Sequence, residues 1–220
     1  MIKIIKINNN YGFKKNSQNL KTENGNILVV KRRKHAELII REYLNGVKSK
    51  DPNSLINLTL FTCNLSKGEI EQIKKKIIEL LNFDILLFRY FDENELLKIM
   101  EKEFDPFISK FEELFDCNLE KIFSIVYSSN LKHLSFKSYL DKLDIFILTT
   151  LFKLSSLTKS VILSYFFVNK KINYKTLYKL TNMEYNYQQK RWGIVEEHLL
   201  MNEDLIGRIK NISFFFKNIS

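Results

Sequence analysis

Cysteine is nearly missing from this sequence. Cys63 and Cys117 are the only two among 220 residues, far apart and at no metal-binding or redox spacing. A disulfide framework is thereby excluded, and buried free thiols in a reducing compartment are expected. Only six glycines occur, and none falls into G-x-G-x-x-G or a Walker pattern, so no glycine motif for cradling phosphate exists. The three histidines, His35, His133 and His198, lie on separate segments with no Cys, Asp or His at ligand spacing. Each is expected at the surface or at a helix end, and no metal or other cofactor is expected. Ser156 and Lys159 match S-x-x-K, but the companion boxes of that enzyme class are missing, so the match is chance on a helix.

Long hydrophobic runs are missing as well. The most apolar region, 143–168, is broken by Asp144, Lys153 and Lys159, and its longest uncharged run, SVILSYFFVN, is half of what a bilayer demands. It reads as protein core. The first residues, MIKIIKINNN, lack a signal peptide's apolar run and cleavage site, and are too strand-like and Arg-poor for a mitochondrial presequence.

Apolar residues make up 45% of the chain and aromatics 13%, which is a globular composition. Asn, Lys, Ile and Phe abound, as an AT-rich genome would dictate. Of the net charge of +10, residues 1–50 carry +9, from 12 Lys/Arg against 3 Asp/Glu, with KRRK at 31–34 as the peak. Such asymmetry suits binding of nucleic acid or an acidic partner, and equally a solvated basic surface in a lysine-rich proteome. No recognisable nucleic-acid module accompanies it.

Periodicity divides the chain. MIKIIKI, YGFKK, NLKT and NILVV are short β-like runs separated by NNN, NSQ and ENG, and Asn24-Gly25 is a strong hairpin signal. A small antiparallel meander follows. From residue 35 the spacing is helical. Asp-Pro at 51–52 and 105–106 predicts helix starts near 52 and 106. FDILLFRY (83–90) reads as a buried strand or extended segment. Apolar residues from Phe136 to Leu154 keep helical spacing over five turns, and further helices are predicted over 157–168, 174–181 and the stretch around 184–198. The tail ISFFFK suits either a helix end or a strand. The fold class is α+β: a small N-terminal antiparallel β domain followed by a larger all-helical C-terminal domain. Its spans are 1–50, β-rich and ending in a helix; 51–82, a connecting helical segment; and 83–220, the helical domain.

The stretch EYNYQQKRWGIVEEH (184–198) places the single tryptophan beside a glycine. On a helix Glu184, Gln188 and Arg191 share a face, while Tyr187 and Trp192 flank a more apolar side. Such a face could be a polar contact site beside an aromatic anchor. Alternatively Glu184 caps or pairs locally; spacing does not choose between these. Trp192 is expected in the core, with Gly193 permitting close packing or a bend.

E-x-x-x-Q-x-x-x-W-G-x-x-E, carried here by Glu184, Gln188, Trp192, Gly193 and Glu196, resembles the C-terminal signature of a family of ATP synthase assembly chaperones, which escort the α subunit of the F1 head. FDILLFR (83–89) resembles the family's T-D-L-L-x-Y-R in Asp84, Leu86 and Arg89. FDPFISKF (104–111) resembles its W-D-P box in Asp105 and Pro106, with Phe104 for Trp. The N-terminal part departs further: KNSQNLKTE keeps only Thr22 of a family turn, Glu42-Tyr43 stands for Glu-Trp, and Lys159 replaces a glycine. The resemblance implies a β domain followed by an α domain and a monomeric, non-enzymatic chaperone whose partner is the F1 α subunit. It would act in a bacterial cytoplasm, or in the mitochondrial matrix of a eukaryote, without inserting into a membrane. Glu184, Gln188, Arg191 and Glu196 become the candidate client-binding residues. Asp84, Arg89, Asp105, Pro106, Trp192 and Gly193 become a structural motif. The alternative from a different class is a basic nucleic-acid-binding module using residues 1–50.

Overall fold

The computed structural model describes residues 2–46, 51–89, 94–123, 133–193 and 196–219. They form two compact units, each discontinuous in sequence. The first comprises residues 1–70, 144–150 and 210–220; the second comprises 71–143 and 151–209. These units are therefore not the sequential spans 1–50, 51–82 and 83–220, because α6 (Ile145–Thr158) and α10 (Glu196–Ile219) each contribute to both.

In the first unit, β1 (Ile2–Ile7) and β2 (Asn10–Lys15) pair antiparallel, with Ile4 across from Phe13. β3 (Gln18–Asn19) returns along β2 through Asn16 and Ser17, both at positive φ as a tight hairpin turn requires. β4 (Val29–Val30) also pairs with β2, making a four-stranded sheet. The Asn24-Gly25 turn forms, with Gly25 at φ 80° and a Lys21–Ile27 bridge closing it. Phe13 and Val30 point into a core shared with Ala36 and Ile39 of α1 (Arg33–Leu44) and Leu55 and Leu58 of α2 (Leu55–Asn64). α2 starts three residues after Pro52. Its first turn is capped by Ser54 and by Glu42, whose carboxylate accepts from the Ile56 N–H at 2.8 Å.

The second unit is built on helices. α3 (Lys67–Asn82) leads to a 3-10 turn at Ile85–Leu87 and then α4 (Asn94–Phe115). FDILLFRY is thus not a strand over its described residues. Its only ladder contact among them is an isolated parallel bridge between Phe88 and Ile122. No helix starts at Pro106 either; it lies inside α4, where Leu96, Met100, Phe104, Ile108, Phe111 and Phe115 form a buried stripe continuous through the proline. The burial of that stripe outweighs the one missing N–H.

The predicted five-turn helix from Phe136 to Leu154 is two helices, α5 (Leu134–Lys142) and α6. Leu143 is extended, and Asp144 accepts from the Phe146 N–H at 2.9 Å to restart the turn. α7 (Val161–Val168) starts after Ser160, which caps it by accepting from the Leu163 N–H at 3.0 Å. Seven of its eight residues are buried, as the core reading of 143–168 requires. α8 (Tyr174–Thr181) matches its predicted helix, whereas the single helix predicted around 184–198 is α9 (Met183–Trp192), ended at Gly193, and the start of α10; ISFFFK ends α10 as helix. Phe111, Phe115, Phe136, Tyr139 and Tyr165 cluster where α4, α5 and α7 meet, with edge-to-face pairs at 4.9–5.6 Å, a tilted Phe111–Phe115 pair at 4.7 Å and a stacked Phe136–Tyr139 pair at 5.8 Å. No helix among the described residues is long and apolar enough to cross a membrane.

The cysteines are free and half-buried. His35, in the first turn of α1, and His133, the residue before α5, lie at helix ends, the second of the two expected placements, but both are buried. His35, 1% exposed, shares a hydrogen bond with Thr59 Oγ1 at 2.9 Å and packs on Phe146 and Phe215 within the first unit. His133, at the start of α5, is buried against Asn82 at 2.7 Å. Each ring has one hydrogen bond at Nε2 in the interior, which a neutral imidazole can make as donor or acceptor.

Candidate functional site

α9 and the start of α10 lie antiparallel within the second unit. Asn182 donates to Asn202 Oδ1 at 2.8 Å, and the Tyr185 ring meets the His198 ring edge-on at 5.2 Å. The reversal between them begins at Gly193, whose φ of 91° an L side chain rarely adopts. A Cβ there would meet nothing within 4 Å. Gly193 therefore serves the bend, not close packing.

That bend puts Trp192 at the end of α9 with 65% of its surface exposed. The expected core tryptophan is not in the core. Apolar periodicity cannot reveal this, because burial depends on what the fold places opposite the side chain. The Arg191 guanidinium lies 5.5 Å from the indole centroid. Leu199, Leu200 and Met201 of α10 are exposed as well. Sequence reading missed these three; the signal was the apolar triplet directly after the Trp-Gly bend.

Glu184 sits in the first turn of α9, which Asn182 does not cap with its side chain. Gln188 Nε2 donates to Glu184 Oε1 at 3.0 Å. The carboxylate borders a cleft of about 420 Å³ whose walls include Leu80, Phe83, Phe88, Met100 and Phe104, with Lys159 at its rim. Arg191 lines a different cleft. It donates to Tyr187 Oη at 3.4 Å, which in turn donates to Glu95 at 3.2 Å, and these line a second, more polar cleft of about 700 Å³. One helix thus faces two grooves, with Glu184 lining the first and Tyr187 and Arg191 the second. Glu196 is exposed in the first turn of α10.

Below the first cleft lies a buried polar frame. Asp84 is fully buried and accepts from the Leu86 N–H at 3.0 Å and the Ile162 N–H at 2.9 Å, tying the 3-10 turn to the start of α7. Burial pushes its carboxyl up to about 6, against the pull of those donors. Arg89 donates to the carbonyls of Leu86 and Phe88 and pairs with Asp105 of α4, which also receives Lys121 at 2.7 Å. Pro106 follows on the same helix. Lys159 adopts φ 56°, a conformation that favours glycine.

The basic KRRK segment is partly spent internally: Lys31 pairs with Asp144 at 2.5 Å and Arg33 with Glu37 at 3.0 Å.

The family model described as ATP12 chaperone protein matches residues 4–112. The chain is 27% identical over 210 residues to the mitochondrial protein atp12 of Schizosaccharomyces pombe, covering 87% of this chain and 72% of that protein. The crystal structure of Atp12 from Paracoccus denitrificans superposes with a TM-score of 0.81 at 18% identity, covering all of this chain and 96% of the other. The Atu1473 protein of Agrobacterium tumefaciens superposes at 0.82 with 15% identity, covering all of this chain and 84% of that one.

Proposed function

Because the chain belongs to the ATP12 chaperone family, whose role is ATP synthase assembly, we propose that it binds the unassembled α subunit of F1 and shields the surface the β subunit later covers. It does so as a monomer, by affinity and not by catalysis, in whichever compartment F1 is built. The observation that carries this reading is the antiparallel pair α9–α10, which exposes Trp192, Leu199, Leu200 and Met201 within ten residues of chain beside the Glu184 cleft. A subunit separated from its hexamer exposes apolar interface, and covering it requires apolar side chains held outward on a rigid support. Large exposed aromatics ringed by polar groups are the usual energetic anchors of such contacts. Glu184 and Gln188 add a hydrogen-bonding edge that a purely apolar patch lacks, and Arg191 and Glu196 extend it along α9 and α10.

The test is aggregation of isolated F1 α subunit, followed by light scattering with and without the chaperone. Glu184→Gln keeps the shape and most hydrogen bonding but removes charge; Glu184→Lys reverses it. Both variants should melt near the wild-type temperature, since a first-turn carboxylate contributes only ~0.3–1 kcal/mol to its helix. Both should fail to hold the α subunit in solution, the lysine variant more completely. Loss of helicity in both would make Glu184 a helix-start residue and remove it from the site.

A further inference from the structure

β1 lies at the edge of the sheet formed by the described residues. Among the described residues β2 is its sole strand neighbour, leaving six residues of strand edge, IKIIKI, without a second partner. Such edges are commonly blunted by lysine, and Lys3 and Lys6 are both exposed. The lysines go beyond what blunting needs. Lys14 and Lys15 on the inner strand β2 are exposed too, and Lys3 stands directly across from Lys14, where like charges oppose pairing. None of the four joins an ion pair among the described residues, unlike Lys31 and Arg33 nearby in sequence.

We propose that the β1 edge is a docking strip for an extended acidic segment of a partner protein, which adds a strand to the sheet. The pattern of β1 specifies that segment. Ile4 is on the side of the sheet that carries buried Phe13, and Lys3, Ile5 and Ile7 are on the other. A strand laid along this edge meets apolar residues at four positions and lysine at two, three residues apart. Its complement is apolar-acid-apolar-apolar-acid-apolar, and the pattern is palindromic, so it serves parallel and antiparallel addition alike. A second copy of this chain is disfavoured for the same reason: in-register β1 pairing, in either direction, sets lysine against lysine. Nucleic acid is the weaker occupant. A phosphate chain cannot complete a strand's hydrogen-bond ladder, and the strip offers no exposed ring for base stacking, since Phe13 is buried and Tyr11 half-buried. It uses none of the residues assigned on α9 and α10, so either assignment can fail without the other.

The experiment uses the full chain and fluorescein-labelled peptides read by anisotropy. The probe carries Val-Glu-Val-Val-Glu-Val; the control carries Val-Lys-Val-Val-Lys-Val; poly(U) RNA is the competitor. The wild type should prefer the acidic peptide by at least about tenfold, as expected for two opposite-charge cross-strand pairs replacing like-charge ones. Lys3→Glu with Lys6→Glu should invert that preference at an unchanged melting temperature. Should that variant not fold, Lys3→Gln with Lys6→Gln should still abolish the preference. Equal binding of both peptides, a preference untouched by the substitutions, no binding at all, or displacement of the peptide by sub-stoichiometric poly(U) would each overturn the proposal.

Discussion

Acidification should destabilise the first unit through His35, and the size of the effect follows from its burial. The ring is 1% exposed, bonded to Thr59 and enclosed by Phe146 and Phe215. Burial lowers its pKa from 6.5 to about 4. For a base depressed in the folded state, the unfolded chain takes the proton first. The stability is therefore complete above pH 6.5 and is lost as pH falls from 6.5 towards 4. Between pH 7.5 and 4.5 the loss is about 2.5 kcal/mol, at 1.36 kcal/mol per pKa unit. Asp84 acts in the opposite sense. Its folded pKa of about 6 lies above its ordinary 3.8, so the folded state holds the proton more tightly and stability rises by about 2 kcal/mol over the same interval. The two effects oppose each other in the wild type, and His133, whose pKa burial also lowers, adds to the loss, so the His35 effect must be isolated by substitution. His35→Gln keeps a hydrogen-bonding group near Thr59 but cannot be protonated. Urea unfolding of both proteins at the two pH values isolates the histidine: the stability gap between them should shift by about 2.5 kcal/mol in favour of the variant at pH 4.5. A gap that stays constant within about 0.5 kcal/mol would show that His35 titrates normally and that its enclosure is open to water.

Arg89→Ala should cost about 3–5 kcal/mol in urea unfolding, because Asp105 and two carbonyls lose a buried partner, and Arg89→Lys should recover little without the fork geometry. A loss below 1 kcal/mol would mean that the frame is not structural. Trp192→Ala should change stability by no more than about 1 kcal/mol, since the indole is mostly exposed, against the ~3–5 kcal/mol of a core aromatic. The same variant should weaken capture of isolated F1 α subunit at least about tenfold by light scattering. Unimpaired capture would remove the indole from the interface.

Local rules sufficed where neighbours in sequence are also neighbours in space. The β1–β2 hairpin, the Asn24-Gly25 turn and helices α1 and α8 follow from alternation, turn residues and 3.6-residue spacing, and all are present. The motifs around Asp84 and Asp105 are legible in the same way, and both lie within the residues matched by the family model described as ATP12 chaperone protein. What spacing could not decide depended on distant chain. Pro106 stays helical because a buried stripe set up from Leu96 onward runs through it. The 136–154 run breaks because Asp144 offers its carboxylate to the next turn, a competition invisible to apolar periodicity. Asp84 and Arg89 could be picked out in sequence, but their partners lie up to 78 residues away, so their joint role as a frame emerges only when Ile162 and Asp105 are brought beside them. Trp192 is the clearest case. Its size predicts burial, and only the backbone reversal at Gly193 turns it outward, because burial depends on what the tertiary fold places opposite a side chain and not on the side chain alone.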